Sequence, residues 1–266
     1  MPEKITSLQN PLIKNINKLH KSAERKKQNL AVVEGGREIL CALEAGNIIQ
    51  KLLLSDSAHS SPFFKTISAK IEKQKTVEIS GKVFQKITYR DNADGMLAII
   101  EPQYLFPDDI KLSVNPLIIV LDAIEKPGNI GAIFRTADAA GADAVIICDP
   151  QTDLYNPNII RASLGTLFTT QAAISSGEEA FQWLKNNKIK VFAAALQTEK
   201  NYFEMDFTVP SAIIMGSEAH GLSDSRLKNA DEIIKIPMKG NADSLNVSVS
   251  TAVIVYEAVR QRSGKR

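Results

Sequence analysis

The sequence predicts an α/β protein with two modules, a smaller α/β module followed by a larger one built on a parallel sheet. The chain has 266 residues, 44% of them hydrophobic, which is enough for two ordinary cores. Its formal charge changes from +5 over residues 1–105 to −3 over residues 106–266. In the second part, four short apolar runs alternate with helical patterns, as in parallel sheets that helices cover on both faces.

The first module begins with a basic helix. Residues 11–28 place apolar side chains at helical spacing while the lysines face elsewhere, which predicts one amphipathic helix. The stretch LAVVEGGREILCALEAGNIIQKLLLS then predicts a strand, a helix and a strand. KTVEIS and GMLAII predict two more strands, with a short helix at GKVFQKIT between them. Residues 1–30 hold seven basic and two acidic groups, which could bind a polyanion or form a solvated helix face.

A linker separates the modules. Residues 101–116 contain three prolines and little periodicity, so we expect a boundary near Phe106, with one domain at 1–105 and another at 106–266. After the linker, PLIIVLDAI, DAVIICD, VFAAAL and SAIIMG predict buried parallel strands. NIGAIFRTADAAG predicts a helix with Asn129 as N-cap and Gly141 as the C-terminal stop, and Arg135 pointing away from the buried stripe.

Several classes of function are excluded. Cys41 and Cys148 are far apart, with no Cys or His at ligand spacing, so no disulfide framework or metal site is expected. No apolar window is long enough for a membrane span, and no signal segment opens the chain, which indicates the cytoplasm. The sequence lacks the P-loop and dinucleotide signatures, and MGSEAHG lacks the spacing of a serine hydrolase elbow.

Three polar clusters follow apolar runs, where open α/β sheets collect ligand groups. The first is NIGAIFRTA, whose Arg135 can grip a phosphate or a developing oxyanion; its alternative is a capped helix with a surface arginine. The second is MGSEAHGL, which is otherwise an ordinary strand-to-helix turn. The third is IPM followed by SLNVSVS, a polar loop that feeds either a helix or a strand. As a helix, this segment would carry one apolar side formed by Leu245, Val249, Ala252, Val253 and Tyr256.

Together and in this order, the clusters resemble the three motifs of the SpoU/TrmH family of RNA ribose 2′-O-methyltransferases, in the α/β-knot superfamily. The matching patterns are N-x-G-x-x-x-R-x-A, M-G-x-E-x-x-G-L, and I-P-M with S-L-N-V-S-V, from Leu117 to about Arg262. In addition, SLQNPLIKNINKL followed by VVEGGREI is similar to the ribosomal-protein-like substrate-binding domain of members that act on ribosomal RNA. The resemblance implies a parallel-sheet domain with a deep trefoil knot.

The resemblance also implies the site residues. It places S-adenosylmethionine in the knot loops, against Leu196, Gly216, Ile236, Met238 and Leu245. It assigns catalysis to Arg135, with Asn129, Glu218, Ser244 and Asn246 positioning groups around it. Because the guanidinium pKa lies above about 12, arginine is an awkward base. Our hypothesis is that Arg135 engages the RNA phosphate and the ribose 2′-oxygen together.

Ribosomal RNA is the expected substrate. The resemblance implies a homodimer, with Val253, Tyr256 and Val259 as contact residues, although these could equally be intrachain core. A transfer RNA enzyme of the same family is a rival reading, but such enzymes usually lack the first module. A second rival is a non-catalytic RNA-binding protein, and a third is a resistance-type methyltransferase. We expect the aromatic residues of the first module, Tyr89 among them, to be core, which leaves no clear platform for base stacking.

Overall fold

The computed structural model describes residues 4–89 and 93–264. The helices are α1 (Pro11–Leu19), α2 (Ser22–Gln28), α3 (Gly36–Glu44), α4 (Phe64–Lys70), α5 (Gly81–Ile87), α6 (Pro127–Ala140), α7 (Pro157–Ser163), α8 (Thr166–Thr169), α9 (Gly177–Asn186), α10 (Asp224–Asn229) and α11 (Val247–Ser263). The strands are β1 (Ala31–Glu34), β2 (Ile49–Leu54), β3 (Thr76–Glu78), β4 (Met96–Ile100), β5 (Leu117–Asp122), β6 (Ala144–Cys148), β7 (Gln171–Ser175), β8 (Lys190–Ala194), β9 (Ser211–Met215) and β10 (Glu232–Ile234).

The chain divides into two compact units. The first contains Met1–Gln103 and Asp153–Thr169, and the second contains Tyr104–Thr152 and Thr170–Arg266. The first unit therefore recruits a segment, with α7 and α8, that follows β6 in the sequence. The periodicity of the sequence did not predict that this later segment belongs to the first unit.

The first unit is built on a four-stranded mixed sheet in the order β1-β4-β2-β3. β4 runs antiparallel to both β1 and β2, while β2 and β3 are parallel. The apolar stripe of α1, formed by Ile13, Ile16 and Leu19, is fully buried with Leu53 and Leu97 of the sheet. The strands predicted in this module are confirmed, and α1 owes its position to the burial of this stripe.

The prediction of one helix over residues 11–28 is wrong, because α1 ends at Leu19 and α2 starts at Ser22. The buried Arg25 explains the break. Its guanidinium donates hydrogen bonds to the carbonyl oxygens of Leu19 and His20, at 2.8 and 2.9 Å. A continuous helix would use those oxygens for its own ladder. Arg25 also forms a buried ion pair with Asp153, which fixes the returning segment within the first unit.

The second unit is built on a six-stranded sheet in the order β10-β8-β9-β5-β6-β7, and every neighbouring pair is parallel. The four strands predicted from apolar runs are β5, β6, β8 and β9, and all are confirmed. All six residues of β5 are buried, because helices cover both faces of the sheet. Trp183 and Leu184 of α9 pack with Ile118 and Val120 on one face. β7 and β10 at the sheet edges were not predicted.

α6 begins three residues earlier than the sequence suggested. The prediction of Asn129 as N-cap is wrong: Lys126 occupies the N-cap position, without a side-chain hydrogen bond, and Pro127 is the first helical residue. Proline is favoured there because it has no N–H group to leave unpaired. The predicted stop is confirmed, since Gly141 adopts a left-handed conformation (φ 65°) that glycine tolerates best.

α11 settles the choice between helix and strand for the last segment, since Val247–Ser263 is helical. The apolar side predicted for it is not the side that is buried, however. Its buried residues are Val247, Thr251, Ile254, Val255 and Ala258, whereas Val249 and Tyr256 are 48% and 49% exposed. α11 packs on α6 and β9 through the first set and leaves an apolar face open. An apolar pattern on both sides of a helix does not reveal which side meets its own chain.

Titration of His20 should make folding sensitive to acid. Burial lowers the pKa of this imidazole below 6.5, Arg25 lowers it further, and the bond of Nε2 to the Ile87 carbonyl opposes both effects. As the pH falls below about 6.5, the unfolded chain takes up a proton at His20 that the folded chain does not, so stability falls. The free energy of unfolding, measured with urea, should fall less between pH 7.5 and pH 5.5 for His20→Gln than for wild type. Lys18→Gln, an exposed neighbour on α1, is the control and should follow wild type, and equal acid sensitivity in His20→Gln and wild type would refute the assignment.

Candidate functional site

A cavity of about 550 Å³ opens in the second unit, at the carboxyl ends of β8, β9 and β10. The loops that follow these strands and the start of α11 line it. All five residues predicted to bind a cofactor belong to the lining: Leu196, Gly216, Ile236, Met238 and Leu245. Leu196 and Leu245 are 54% and 39% exposed, which leaves their apolar side chains accessible from the cavity.

The loop after β9 forms a tight turn beside the cavity. The Ser217 carbonyl accepts a hydrogen bond from the Gly221 N–H at 2.9 Å, and the Ser217 Oγ accepts one from the His220 N–H at 3.1 Å. Gly216 allows this closure, because a Cβ atom on it would lie 2.4 Å from the Gly221 carbonyl carbon. Glu218 and His220 are therefore presented at the exposed tip of the turn.

Side-chain hydrogen bonds join the three polar clusters. Asn129 Nδ2 donates to Glu218 Oε1 at 2.5 Å, and Asn246 Nδ2 donates to Asn129 Oδ1 at 3.2 Å. The Asn246 Oδ1 in turn caps α11 by accepting from the Ser248 N–H at 3.0 Å. Three of the five predicted catalytic residues thus form one connected network.

The remaining two lie apart from this network. Ser244 is exposed and lines the cavity. Arg135 is exposed on α6 and points away from its buried stripe, as predicted, but it does not belong to the cavity lining. Asn129 is likewise outside the lining, although its partners Glu218 and Asn246 are within it. Two members of the network, Glu218 and Asn246, therefore line the cavity, whereas Asn129 and the Arg135 guanidinium do not.

Some lining residues were not assigned to the site from the sequence. Among them are Lys126, Ser217, His220 and Ser250. Lys126 comes just before the first cluster, and the others lie inside the second and third. Their positions within or beside the motifs are the sequence signal that could have identified them.

A charged cluster at the carboxyl ends of β5 and β6 was not predicted from the sequence. Arg226 of α10 lies 3.4 Å from Asp122 and 3.0 Å from Asp149, and the Gly177 N–H donates to Asp149 at 3.2 Å. Burial raises the pKa of Asp122, although Arg226 acts against this shift. Burial next to Asp122 also raises the pKa of Cys148 to about 12, so the thiol stays protonated. Arg226 fixes α10, and with it the end of the cavity loop, to the sheet.

The sequence held a clue to this cluster, since the apolar runs that end in VLD and ICD each finish with an aspartate, Asp122 and Asp149. Asp122 lies beside Cys148 in the register of the parallel pair β5 and β6, and Asp149 follows directly. Two acidic groups at adjacent strand ends require a cation, and Arg226 supplies it.

The cavity fits a cofactor of moderate size. Pockets for such ligands commonly measure about 300–1,000 Å³ and combine apolar walls with a few polar groups. Here Leu196, Ile236 and Leu245 supply apolar surface, while Ser217 and Asn246 supply polar groups. Within residues 4–89 and 93–264, no group of three or more His, Cys, Asp or Glu side chains is placed to hold a metal ion. Nor is any described helix both long and apolar enough to cross a bilayer.

Comparison with known proteins gives a consistent result. The model of the SpoU rRNA Methylase family matches residues 116–256, and the model of the MRM3-like substrate binding domain matches residues 10–98. The chain is 30% identical to a 23S rRNA (guanosine(2553)-2′-O)-methyltransferase of Bacillus subtilis, over 96% of this chain and 98% of the relative.

Two solved structures are also similar. One is a crystal structure of an RNA 2′-O ribose methyltransferase, with a TM-score of 0.85 and 37% identity, covering 98% of this chain and 100% of that one. The other is an AdoMet-bound rRNA methyltransferase of Sinorhizobium meliloti, with a TM-score of 0.88 and 31% identity, covering 97% of both chains.

Gly216→Ala tests the turn beside the cavity. The added methyl group would lie 2.6 Å from the Leu222 nitrogen, so the backbone must move and deform the cavity wall. We expect at least about tenfold weaker binding of S-adenosylmethionine in calorimetry, which corresponds to about 1.4 kcal/mol. Gly81→Ala is the control, because a Cβ there meets nothing within 4 Å. Unchanged affinity in Gly216→Ala would show that the turn does not shape the binding site.

Proposed function

The chain belongs to the SpoU rRNA methylase family, and we propose that it transfers a methyl group from S-adenosylmethionine to a ribose 2′-hydroxyl of 23S-type ribosomal RNA. The observation that carries this proposal is the junction of the three motif segments. The network of Asn129, Glu218 and Asn246 lies at a cavity lined by all five residues proposed to bind the cofactor. No single motif segment contains both the complete hydrogen-bonded network and the complete set of proposed cofactor-binding residues.

We assign the cavity to S-adenosylmethionine, which when bound supplies a sulfonium methyl group. Leu196, Gly216, Ile236, Met238 and Leu245 are the proposed binding residues. Around them, Glu218 and Asn246 are held by Asn129, so their polar atoms are already oriented before any substrate arrives. Such preorganisation lowers the cost of placing a weakly acidic hydroxyl next to the transferable group. Ser244 is proposed to position the substrate from the same wall.

Ribosomal RNA is favoured over the rivals by the first unit. A substrate-binding domain model matches residues 10–98, and the full-length relative from Bacillus subtilis is named for action on 23S rRNA. A transfer RNA enzyme would need no such domain, and a non-catalytic RNA-binding protein would not need to keep Arg135, Glu218 and Asn246 together. We propose that the sequence domains 1–105 and 106–266 carry RNA binding and catalysis respectively, with residues 153–169 contributing to the first unit. The proposed location is the cytoplasm, where ribosomal RNA is modified.

Arg135 is proposed as the group that acts on the RNA. Its guanidinium can donate to a phosphate and to the 2′-oxygen at once, and this contact strengthens as negative charge develops on that oxygen. Because the guanidinium stays protonated, the 2′-hydroxyl proton leaves through the hydrogen-bonded surroundings rather than to Arg135 itself.

The position of Arg135 supports a homodimer. Arg135 does not line the cavity of its own chain, but it lies on α6, which packs against α11. α11 exposes Val249 and Tyr256, with the half-buried Val253 between them, at the spacing of one helical face. A second copy seated on this face by two-fold symmetry would bring its own Arg135 toward the cavity. We propose that the two subunits share each site and that the second unit contains the trefoil knot of the family.

Replacing Arg135 tests the chemistry. With labelled S-adenosylmethionine and undermethylated ribosomal RNA, Arg135→Ala should lower kcat by about 10²–10³-fold, the usual effect of removing one group that stabilises developing charge. Arg135→Lys should recover only part of the rate, because it lacks the guanidinium fork. Cofactor affinity should stay within about twofold of wild type, since Arg135 lies outside the cavity.

Transfer RNA, assayed in parallel, separates the substrate classes. Label in ribosomal RNA alone supports the proposal, and label in transfer RNA alone would contradict the ribosomal assignment. An Arg135→Ala enzyme that keeps full activity would contradict the assigned role.

Mixing two impaired variants, at an S-adenosylmethionine concentration too low to load Gly216→Ala, tests the shared site. Arg135→Ala supplies an intact cavity and Gly216→Ala an intact arginine. After random exchange of subunits, half of the dimers combine the two, and one site in each would be complete. The mixture should therefore recover about a quarter of the wild-type rate.

The control adds Tyr256→Arg to both variants, which places a charge on the exposed face of α11. It should yield monomers in sedimentation velocity and prevent recovery. A mixture no more active than its components would show that each site uses its own arginine.

A further inference from the structure

Tyr89 is an exposed aromatic residue on the first unit. The expectation that it belongs to the core is wrong, because 55% of its surface is accessible. Phe84, from the same part of the chain, is 6% exposed and belongs to the core as expected. An exposed aromatic ring on a unit matched by a substrate-binding domain model offers a flat surface on which a base can stack.

The ring of Tyr89 is held in place on one side only. Its backbone N–H donates to both carboxylate oxygens of Glu34, each at 3.1 Å, which ties it to the end of β1. Its ring meets the imidazole of His20 edge to face, with centroids 4.5 Å apart and an interplanar angle of 75°. These contacts fix the ring and leave most of it open, as a stacking platform requires.

A shallow groove adjoins the ring within the first unit. Its lining includes Tyr89, Arg161 and Asn158, and its volume is only about 10 Å³. A flat ligand must therefore lie over Tyr89 and cannot enter the groove. Arg161 is exposed and offers a planar guanidinium at its edge.

Basic residues lie close by in the sequence. The exposed Lys18 and Lys21 lie on either side of His20, whose imidazole contacts the Tyr89 ring. The Glu34 carboxylate accepts the Tyr89 N–H and keeps its negative charge, so the phosphate contact is assigned to Arg161. Aromatic surface, a guanidinium and flanking ammonium groups together fit a base joined to a phosphate.

We propose that Tyr89 and Arg161 form a binding site for an unpaired nucleobase of the RNA substrate, with the base stacked on Tyr89 and its adjoining phosphate bound by Arg161. This inference rests on the proposed function, which makes RNA the substrate. A base-paired helix could not use the site, since its bases are not available for stacking. The site thus selects RNA with a splayed-out nucleotide.

Binding of short RNA to the full-length protein tests the site. The probe is a single-stranded oligoadenylate of twelve nucleotides with 2-aminopurine at its centre, compared with an oligomer of equal length that has ribose and phosphate but no bases. Tyr89→Ala should weaken binding of the oligoadenylate by about tenfold, within the range for one stacked base, and should reduce quenching of the 2-aminopurine. Tyr89→Phe should keep wild-type affinity. The oligomer without bases should bind wild type and Tyr89→Ala equally.

Two further variants sharpen the result. Phe106→Ala removes a ring that is 61% exposed in the second unit and should leave binding unchanged. Arg161→Gln should weaken both oligomers and reduce the dependence of affinity on salt. Equal oligoadenylate affinity for wild type and Tyr89→Ala would overturn the proposal, and so would a Tyr89→Ala loss that is as large for the oligomer without bases.

This outcome is separable from that of the proposed function. Wild-type methyl transfer to ribosomal RNA, together with unchanged RNA binding by Tyr89→Ala, would overturn only the stacking site. Absence of wild-type transfer to any RNA, with the Tyr89 effect on oligoadenylate intact, would contradict the methyltransferase assignment and leave the base site standing.

Discussion

The side-chain bonds from Asn129 to Glu218 and Asn246 are the interaction on which the site depends. They connect residues 89 and 117 positions apart in the sequence, so they form only when the sheet has placed three separate loops together. Each bond is modest in net free energy, at about 0.5–1.5 kcal/mol, because water competes for the same groups. Their value lies in orientation: Glu218 stands on a tight turn and Asn246 caps α11, and Asn129 ties both to the start of α6.

The parallel sheet makes this meeting possible. Because all six strands run in one direction, their carboxyl ends share one edge, and every polar loop after a strand arrives there. The strands themselves are nearly all apolar, so they contribute burial but no chemistry. The carboxylates of Asp122 and Asp149 at the same edge bind Arg226, and this ion cluster secures α10 after the cavity loop. One edge of the sheet therefore carries both the site and its support.

The composition of the strands decides which of them can be predicted from the sequence. Buried parallel strands are visible in the sequence as apolar runs, which is why β5, β6, β8 and β9 were identified. The edge strands β7 and β10 begin with polar residues and were missed. Asn129 was taken for a cap because its residue type suits one, but Pro127 begins the helix and frees the amide to bond Glu218.

The faces of α11 show a different limit. Both of its sides are apolar, and hydrophobicity alone does not distinguish the side that meets β9 and α6 from the side that carries Val249 and Tyr256. The break between α1 and α2 is of the same kind. It depends on Arg25 and on Asp153, which lies 128 residues away, and no local pattern contains that information. Local signals predict elements, whereas pairings across long separations decide where the elements end.

The first unit shows how affinity and orientation can come from different residues. Exposed lysines on α1 and α2 contribute an attraction to phosphates that weakens as salt rises and does not distinguish one nucleotide from another. A stacked base on Tyr89 would add a contact that salt affects little, because it depends on the overlap of two rings. The first kind of contact draws RNA to the protein, and the second would fix the orientation of one nucleotide. Orientation matters for methyl transfer, because a ribose 2′-oxygen must approach the transferable group along a defined line.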